Sequence, residues 1–353
     1  MPTLFDPLQI GPLTLRNRIV MAPLTRARAC ADRIPNAMMA EYYAQRAGAG
    51  LILSEATSVT PIGVGYADTP GIWNDAQVEG WKLVTKAVHD AGGLIFLQLW
   101  HVGRISDPQF LDGQAPVAPS AIKPAGTVSL VRPKKEYVTP RALDTDEIPG
   151  IVEAYRKGAE NAKRAGFDGV EIHGANGYLI DQFLQDHSNR RTDRYGGSIE
   201  NRARLLMEIT DAVTGVWGAD RVGLHLAPRG DSHDMGDSDP RALFTHVARQ
   251  MRDRGVAFIC LREHLGPNGL MDDIKAAFGG IVIANEGLTR DSAQDLIRSG
   301  RADAAAFGRD FIATPDLPRR FAEGMDLNQQ DPSTFYGSGP KGYVDYPVAE
   351  EVN

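Results

Sequence analysis

Residues 148–173 read IPGIVEAYRKGAENAKRAGFDGVEIH and contain the unit that decides the fold. The apolar residues of the first half recur at the spacing that places side chains on one face of an amphipathic helix. These residues are Ile148, Ile151, Val152, Tyr155 and Ala159. Gly166 then ends the helix, because glycine readily adopts the left-handed conformation of a helix stop. The apolar run that follows lacks strict alternation and predicts a strand buried on both faces.

The same succession of helix, glycine and apolar run recurs along the whole chain. Glycine precedes apolar runs at 51–56, 94–100, 167–173, 256–261, 281–284 and 304–308. Two further runs, at 19–23 and 222–226, bring the candidate strands to eight. Eight strands that alternate with helices predict an α/β fold, a parallel TIM (β/α)8 barrel rather than an open sheet.

The sequence contains no linker that would divide it, and we expect residues 1–353 to form a single barrel domain. Residues 1–18 include a short hairpin pattern at 8–15, which we expect to cap the barrel floor. Residues from about 105 to 145 are rich in proline, glycine and serine. They predict an excursion over the barrel mouth after the third strand.

Composition excludes several classes of protein. A chain that is 42% hydrophobic and 24% charged is typical of a soluble globular protein. No apolar run reaches the ~18 residues of a membrane span, and the N-terminus lacks the features of a secretion signal. The net charge of -7 argues against a nucleic-acid partner, and Cys30 and Cys260 offer no metal-ligand spacing. We therefore expect a cytoplasmic protein that acts on a small molecule, and the sequence indicates no oligomeric state.

Active sites of TIM barrels lie at the carboxyl ends of the strands, so polar residues there are candidates. The fourth candidate strand ends at His173, and Asn176 and Tyr178 follow on the loop. Histidine and asparagine can direct two donors at one substrate oxygen. Tyrosine, with an ordinary pKa of ~10, can protonate a strongly basic carbanion at neutral pH. Taken singly, His173 and Tyr178 are equally compatible with structural roles.

The ends of the last two strands indicate a phosphate site. Glu286 and Gly287 precede a helix that begins near Thr289, and Gly308 and Arg309 follow the eighth strand. In TIM barrels these loops often bind phosphate through backbone amides and a helix N-terminus. Arginine would add a fixed cation. The alternative is that Arg309 forms a surface salt bridge.

Long blocks of the chain resemble the old yellow enzymes, which are FMN-dependent ene-reductases, and the resemblance runs essentially end to end. It is strongest toward bacterial alkene reductases of the N-ethylmaleimide reductase type. The blocks are 17–26 (NRIVMAPLTR), 98–104 (QLWHVGR), 173–178 (HGANGY), 187–202 (HSNRRTDRYGGSIENR) and 306–309 (AFGR). The resemblance implies that NADPH or NADH reduces a bound FMN. The reduced flavin would then reduce the C=C bond of α,β-unsaturated carbonyls, maleimides and nitroalkenes. An alternative on the same site is reduction of nitro compounds or nitrate esters.

The resemblance also implies a role for each matching residue. Residues that would hold the FMN are Pro23, Leu24, Thr25, Ala56, Gln98, Glu286, Gly287, Gly308 and Arg309. His173 and Asn176 would bind the substrate oxygen while flavin N5 delivers hydride to the β-carbon, and Tyr178 would protonate the α-carbon. Aromatic residues that would line the substrate pocket are Tyr66, Trp100 and Tyr343.

One position departs from the family pattern. Where the family commonly has an arginine near flavin N1 and O2, the fifth strand carries His225. Histidine is shorter and carries no permanent charge at neutral pH. We therefore expect a lower flavin potential, or weaker FMN binding, than in relatives with arginine.

Three rival functions lack a required feature. A lyase or aldolase that works through a Schiff base needs a lysine at a strand end, and no candidate strand clearly ends in one. A barrel reductase of the dienoyl-CoA type needs cysteines for an iron–sulfur cluster, which two cysteines cannot ligate. A non-enzymatic flavin-binding protein leaves the set of His173, Asn176 and Tyr178 unexplained.

Overall fold

A closed barrel of eight parallel strands forms the centre of the protein. The computed structural model describes residues 1–230 and 232–350. The barrel strands are Ile19–Met21, Leu51–Leu53, Ile95–Trp100, Gly169–His173, Val222–Leu226, Phe258–Arg262, Ile281–Asn285 and Ala304–Phe307. The eighth strand pairs with the first, with Ala306 opposite Val20. The first strand pairs with the second, and the second pairs with the third. The predicted TIM barrel is therefore confirmed, including all eight strand candidates.

Helices connect the barrel strands on the outside. The α-helices are Ala37–Ala44, Asp75–Asp90, Ile148–Arg164, Leu179–Leu184, Ile199–Trp217, Pro240–Arg254, Met271–Phe278, Arg290–Arg298, Arg309–Ala313 and Leu317–Glu323. Short 3-10 helices are Ala31–Arg33, Pro61–Gly63, Pro108–Phe110, Ala219–Arg221 and Pro332–Thr334. Ser198 caps the helix after it by accepting a hydrogen bond from the Asn201 amide. Gly255 and Gly279 end their helices with φ of 69° and 68°. Within the described ranges, no helix is long and apolar enough to cross a membrane.

The hairpin near the N-terminus closes the barrel floor. Strand Leu8–Ile10 pairs antiparallel with Leu13–Leu15. Ile10 and Leu15 join the apolar cluster inside the barrel. Gly11 lies against the backbone of Asp220, just before the fifth strand, which places the hairpin at the amino ends of the strands. Active-site chemistry is thereby confined to the opposite end.

The segment between the third strand and helix Ile148–Arg164 covers the mouth. Strand Val117–Ala118 pairs with Arg141–Ala142, while Thr57–Ser58 extends the barrel sheet beside the third strand. Val128 and Tyr137 from this segment pack in one apolar cluster with residues of the mouth. The predicted excursion over the mouth is thus present in the fold.

Two glycines make room for aromatic rings in the barrel interior. Phe96 and Phe258 lie with their ring centroids 5.9 Å apart. A Cβ atom on Gly223 would lie 2.1 Å from the Phe258 ring, and one on Gly169 would lie 2.3 Å from the Phe96 ring. Both glycines are therefore required by packing rather than by backbone conformation.

We expect Gly223→Ala to lower the free energy of unfolding by about 1–3 kcal/mol, because the methyl group overpacks the barrel interior. Chemical denaturation would measure the loss. The matched control is Gly215→Ala in helix Ile199–Trp217, where an added Cβ meets no atom within 4 Å. Gly215→Ala should instead raise the free energy of unfolding by up to ~1 kcal/mol, because alanine has a higher helix propensity than glycine. A Gly223→Ala protein as stable as the wild type would show that Phe258 is free to move.

Candidate functional site

Four aromatic rings surround Tyr178 at the carboxyl end of the barrel. Its ring centroid lies 5.1 Å from that of His173, 5.0 Å from Trp100 and 5.4 Å from His233. Tyr66 completes the group at 6.4 Å. The structure therefore brings the predicted residues of the fourth strand and its loop into one cluster with Tyr66.

His173 is fixed as a neutral hydrogen-bond donor. Its Nδ1 accepts the Ala175 amide at 3.3 Å, so the ring proton resides on Nε2. Burial, followed by the charges of His225 and Arg262, lowers the pKa of His173 well below its ordinary value. Nε2 has no hydrogen-bond partner among the residues that the structure describes. It remains available to a ligand oxygen.

Asn176 is held at both its backbone and its side chain. It has a φ of 61°, a left-handed conformation that asparagine tolerates. Its carbonyl oxygen contacts His233 Nδ1 at 2.7 Å, and Arg262 Nη1 donates to its Oδ1 at 2.8 Å. The next residue, Gly177, donates its amide to the carboxylate of Asp181 at 2.8 Å. The loop conformation is therefore determined by neighbours on three sides.

Tyr178 and Tyr66 form a hydrogen-bonded pair of phenols, with 2.8 Å between their oxygens. Burial raises the pKa of Tyr178 above its ordinary value, although the hydrogen bond from Tyr66 opposes the rise. Burial likewise raises the pKa of Tyr66. Tyr178 is therefore a protonated phenol throughout the physiological pH range, and it can serve as an acid.

Two of the aromatic residues predicted to line the pocket are fully buried. Trp100 is 0% exposed and stacks behind Tyr66 at 5.4 Å, so it supports the lining rather than forming it. Tyr343 is also 0% exposed; it stacks on Tyr42 at 4.1 Å and is covered by Arg28 at 4.4 Å. Neither side chain presents solvent-accessible surface in the structure. That Trp100 and Tyr343 line the pocket therefore stays a prediction, which their burial does not favour.

Buried polar groups without partners lie inside the mouth. Gln98 donates to Glu171 at 2.8 Å, but Glu171 Oε1 and both ring nitrogens of His225 have no hydrogen-bond partner. The nearest approach between Glu171 and His225 is 3.3 Å, without the geometry of a hydrogen bond. Buried polar groups are almost always satisfied, so these atoms indicate a bound polar molecule. The pyrimidine edge of a flavin, which carries both N–H and C=O groups, fits such a set.

Cys260 completes a group of possible metal ligands with Glu171 and His225, whose ligand atoms lie within 4.8 Å of one another. Burial, followed by the charge of Glu171, raises the pKa of the Cys260 thiol well above its ordinary value. Metals bind the thiolate rather than the thiol.

The remaining residues predicted to hold the cofactor form the rim of the mouth. Pro23, Leu24 and Thr25 follow the first strand and are half-buried, whereas Ala56 is buried. Leu24 packs close to Gly308, so the ends of the first and eighth strands adjoin. Glu286 and Gly287 have positive φ of 98° and 64°. Arg309 is exposed and forms no salt bridge with another described residue, which leaves its charge available for an anion.

Sequence reasoning assigned no role to three residues near Tyr178. His233 and Arg262 contact Asn176, and no motif marks His233. The sequence marks Arg262 only as a polar residue at the end of the sixth strand, without indicating its partners. Tyr336, a C-terminal residue that is 50% exposed, is one of the neighbours that raise the pKa of Tyr178, after burial.

Comparisons with known proteins agree on one family. The family model described as "NADH:flavin oxidoreductase / NADH oxidase family" matches residues 3–328. A structure of morphinone reductase in complex with tetrahydroNAD is 50% identical, with a TM-score of 0.96 over 99% of this chain and 98% of that chain. The old yellow enzyme homologue from Zymomonas mobilis is 48% identical, with a TM-score of 0.95 over 99% and 100%. 12-oxophytodienoate reductase 1 of Oryza sativa subsp. japonica is 44% identical over 99% of this chain and 94% of its own length.

We expect the imidazole of His173 to be neutral at pH 7, with its proton on Nε2. Because its pKa is lowered, the ring should stay neutral as the pH falls through ~6.5, where an ordinary histidine takes up a proton. Nitrogen-15 NMR across pH 5–8 would show one protonated and one bare ring nitrogen, and His173→Gln would assign the signals. A proton on both nitrogens at pH 6.5 would contradict the electrostatic account of the site.

Proposed function

We propose that the protein reduces the C=C bond of activated alkenes. The chain belongs to the NADH:flavin oxidoreductase / NADH oxidase family, which is the family of the old yellow enzymes. It is an FMN-dependent NAD(P)H oxidoreductase. The substrates are α,β-unsaturated carbonyls, maleimides and nitroalkenes. One observation carries the proposal. The ring of His173, a neutral donor, lies 5.1 Å from that of Tyr178, a phenol that burial keeps protonated, and Asn176 belongs to the loop that joins them.

The unsatisfied groups inside the mouth support a seat for FMN. His225 and Gln98 offer polar contacts to its pyrimidine edge, with Ala56 beside them. Pro23, Leu24 and Thr25 would contact the ring system from the first strand. The amides of Glu286 and Gly287, with Gly308 and Arg309, would hold the phosphate. When bound and reduced by NADPH or NADH, FMN supplies the hydride that the substrate β-carbon receives.

His173 and Asn176 bind the substrate oxygen and stabilise the negative charge that it gains as the β-carbon is reduced. Both donors are neutral, so neither loses its hydrogen through titration near pH 7. Because the site is buried, each hydrogen bond is stronger than it would be in water. The two residues therefore lower the activation barrier for reduction of the β-carbon, because they stabilise the negatively charged oxygen more than the neutral oxygen of the substrate.

Tyr178 transfers its phenolic proton to the α-carbon, which completes the addition of hydride and proton across the double bond. Its oxygen becomes a phenolate in this step. The hydroxyl of Tyr66, 2.8 Å away, can donate a hydrogen bond to that phenolate. The charge is thus stabilised inside the site until a proton returns from solvent.

The protein reconstituted with FMN should be yellow, lose its colour with NADPH or NADH, and regain it when an enone such as cyclohexenone is added. Tyr178→Phe should leave the first half-reaction unchanged and slow the second by about 10²–10⁴-fold, the contribution of a general acid. Stopped-flow absorbance separates the two steps. Protein that binds no FMN, or never reoxidises with any alkene, would refute the proposed function.

Reduction of nitro compounds or nitrate esters on the same site is the alternative. These reactions need the oxygen-binding pair but no proton on carbon. A Tyr178→Phe protein that keeps full activity toward nitrate esters but loses enone activity would assign Tyr178 to carbon protonation. Equal loss of both activities would argue against that role.

We expect His225→Arg to raise the midpoint potential of the bound flavin, by on the order of 30 mV or more, which is about 1.4 kcal/mol for two electrons. A permanent positive charge at this position favours the electron-rich reduced flavin, and a histidine, unlike an arginine, carries no permanent charge. Spectroelectrochemistry measures the potential. His225→Gln, which adds no charge, is the control and should change it little. An unchanged or lower potential in His225→Arg would contradict the prediction.

A further inference from the structure

We propose that Arg262 is a positioning residue for substrate reduction, held by Glu286 so that it orients the amide of Asn176 toward the substrate oxygen. This inference rests on the proposed function. Arg262 ends the sixth barrel strand, Glu286 follows the seventh, and Asn176 follows the fourth. The three residues therefore connect loops that are distant in sequence across the barrel mouth.

The contact between Arg262 and Asn176 decides which way the amide points. Arg262 Nη1 donates to Asn176 Oδ1 at 2.8 Å. A guanidinium group has only donors, so it selects the amide oxygen and leaves the Nδ2 hydrogens for another acceptor. Without Arg262, either end of the amide could face the substrate. An exposed carbonyl oxygen would then repel the oxygen that gains charge.

Glu286 fixes Arg262 in this position. Its carboxylate contacts Arg262 Nε and lies 3.5 Å from His264 Nε2. Its φ of 98° is rare for a residue with a side chain. Such a conformation is strained and persists only where its surroundings require it. The pairing with Arg262 supplies a reason for a glutamate at this strained position.

The charge of Arg262 also reaches the reacting groups. It contributes, after burial and His225, to the low pKa that keeps His173 neutral. Polarised by the guanidinium, the Asn176 amide becomes a stronger donor to the substrate oxygen. The benefit should be largest for enones and enals, whose single oxygen takes the developing charge. Nitroalkenes need it less, because the nitro group itself stabilises that charge.

The test compares Arg262→Met with Arg229→Met in FMN-loaded protein. Arg229 is a matched control, because it also pairs with a carboxylate, that of Glu263 at 2.6 Å, and its side chain is 33% exposed against 38% for Arg262. We expect Arg262→Met to slow reoxidation by an enone about tenfold, less than the ~10²–10³ lost with a whole oxyanion donor. Flavin reduction by NADPH should change less than about twofold, and reoxidation by a nitroalkene should slow less than reoxidation by the enone. Arg262→Lys, which keeps a cationic donor, should recover part of the rate.

A double-mutant cycle separates positioning from a general charge effect. In an Asn176→Ala background, Arg262→Met should have no further effect on enone reoxidation. Additive losses, equal slowing of both half-reactions, or the same loss in Arg229→Met would overturn the proposal. Failure of wild-type protein to reduce any enone would instead refute the proposed function. Bound FMN and the denaturation midpoint, measured for each variant, identify a change that acts only through folding. If Arg262→Met and Arg229→Met both lower the bound FMN or the denaturation midpoint, the Arg262→Lys variant becomes the test. An enone reoxidation rate in Arg262→Lys as low as in Arg262→Met would then overturn the proposal.

Discussion

Closure of the parallel sheet, where Ala306 pairs with Val20, is the constraint on which the rest of the structure depends. In an open sheet the first and eighth strand ends would lie at opposite edges. Closure instead gathers the carboxyl ends of all strands around one mouth. Residues far apart in the chain thereby come within hydrogen-bond distance, as Asn176 and Arg262 do across 86 positions.

The periodic features of the sequence predicted the fold because they are local. Glycine stops such as Gly166 and the apolar runs after them reflect backbone conformation and burial, and neither depends on distant contacts. The family, predicted from long sequence blocks, is confirmed by the comparisons. His173, Asn176 and Tyr178 could be predicted as a set because one strand end and its loop carry all three.

Side-chain exposure and side-chain pairing were not predictable in the same way. Trp100 and Tyr343 are aromatic residues near functional segments, but their burial depends on the layers that Tyr66 and Tyr42 place against them. The partner of Arg262 depends on the register of three strands and the path of two loops. A sequence shows residue types at strand ends, whereas these contacts arise only when the barrel closes.

The segment between the third strand and helix Ile148–Arg164 packs on the mouth through apolar side chains. Its Val128 and Tyr137 pack with Tyr66, whereas the groups that fit the flavin belong to strand ends and their short loops. Substitutions or length changes in this segment can therefore reshape what enters the site without altering the redox centre. The architecture therefore allows one wall of the mouth to vary in evolution while the strand ends, which carry both the oxygen-binding residues and the groups that fit the flavin, stay unchanged.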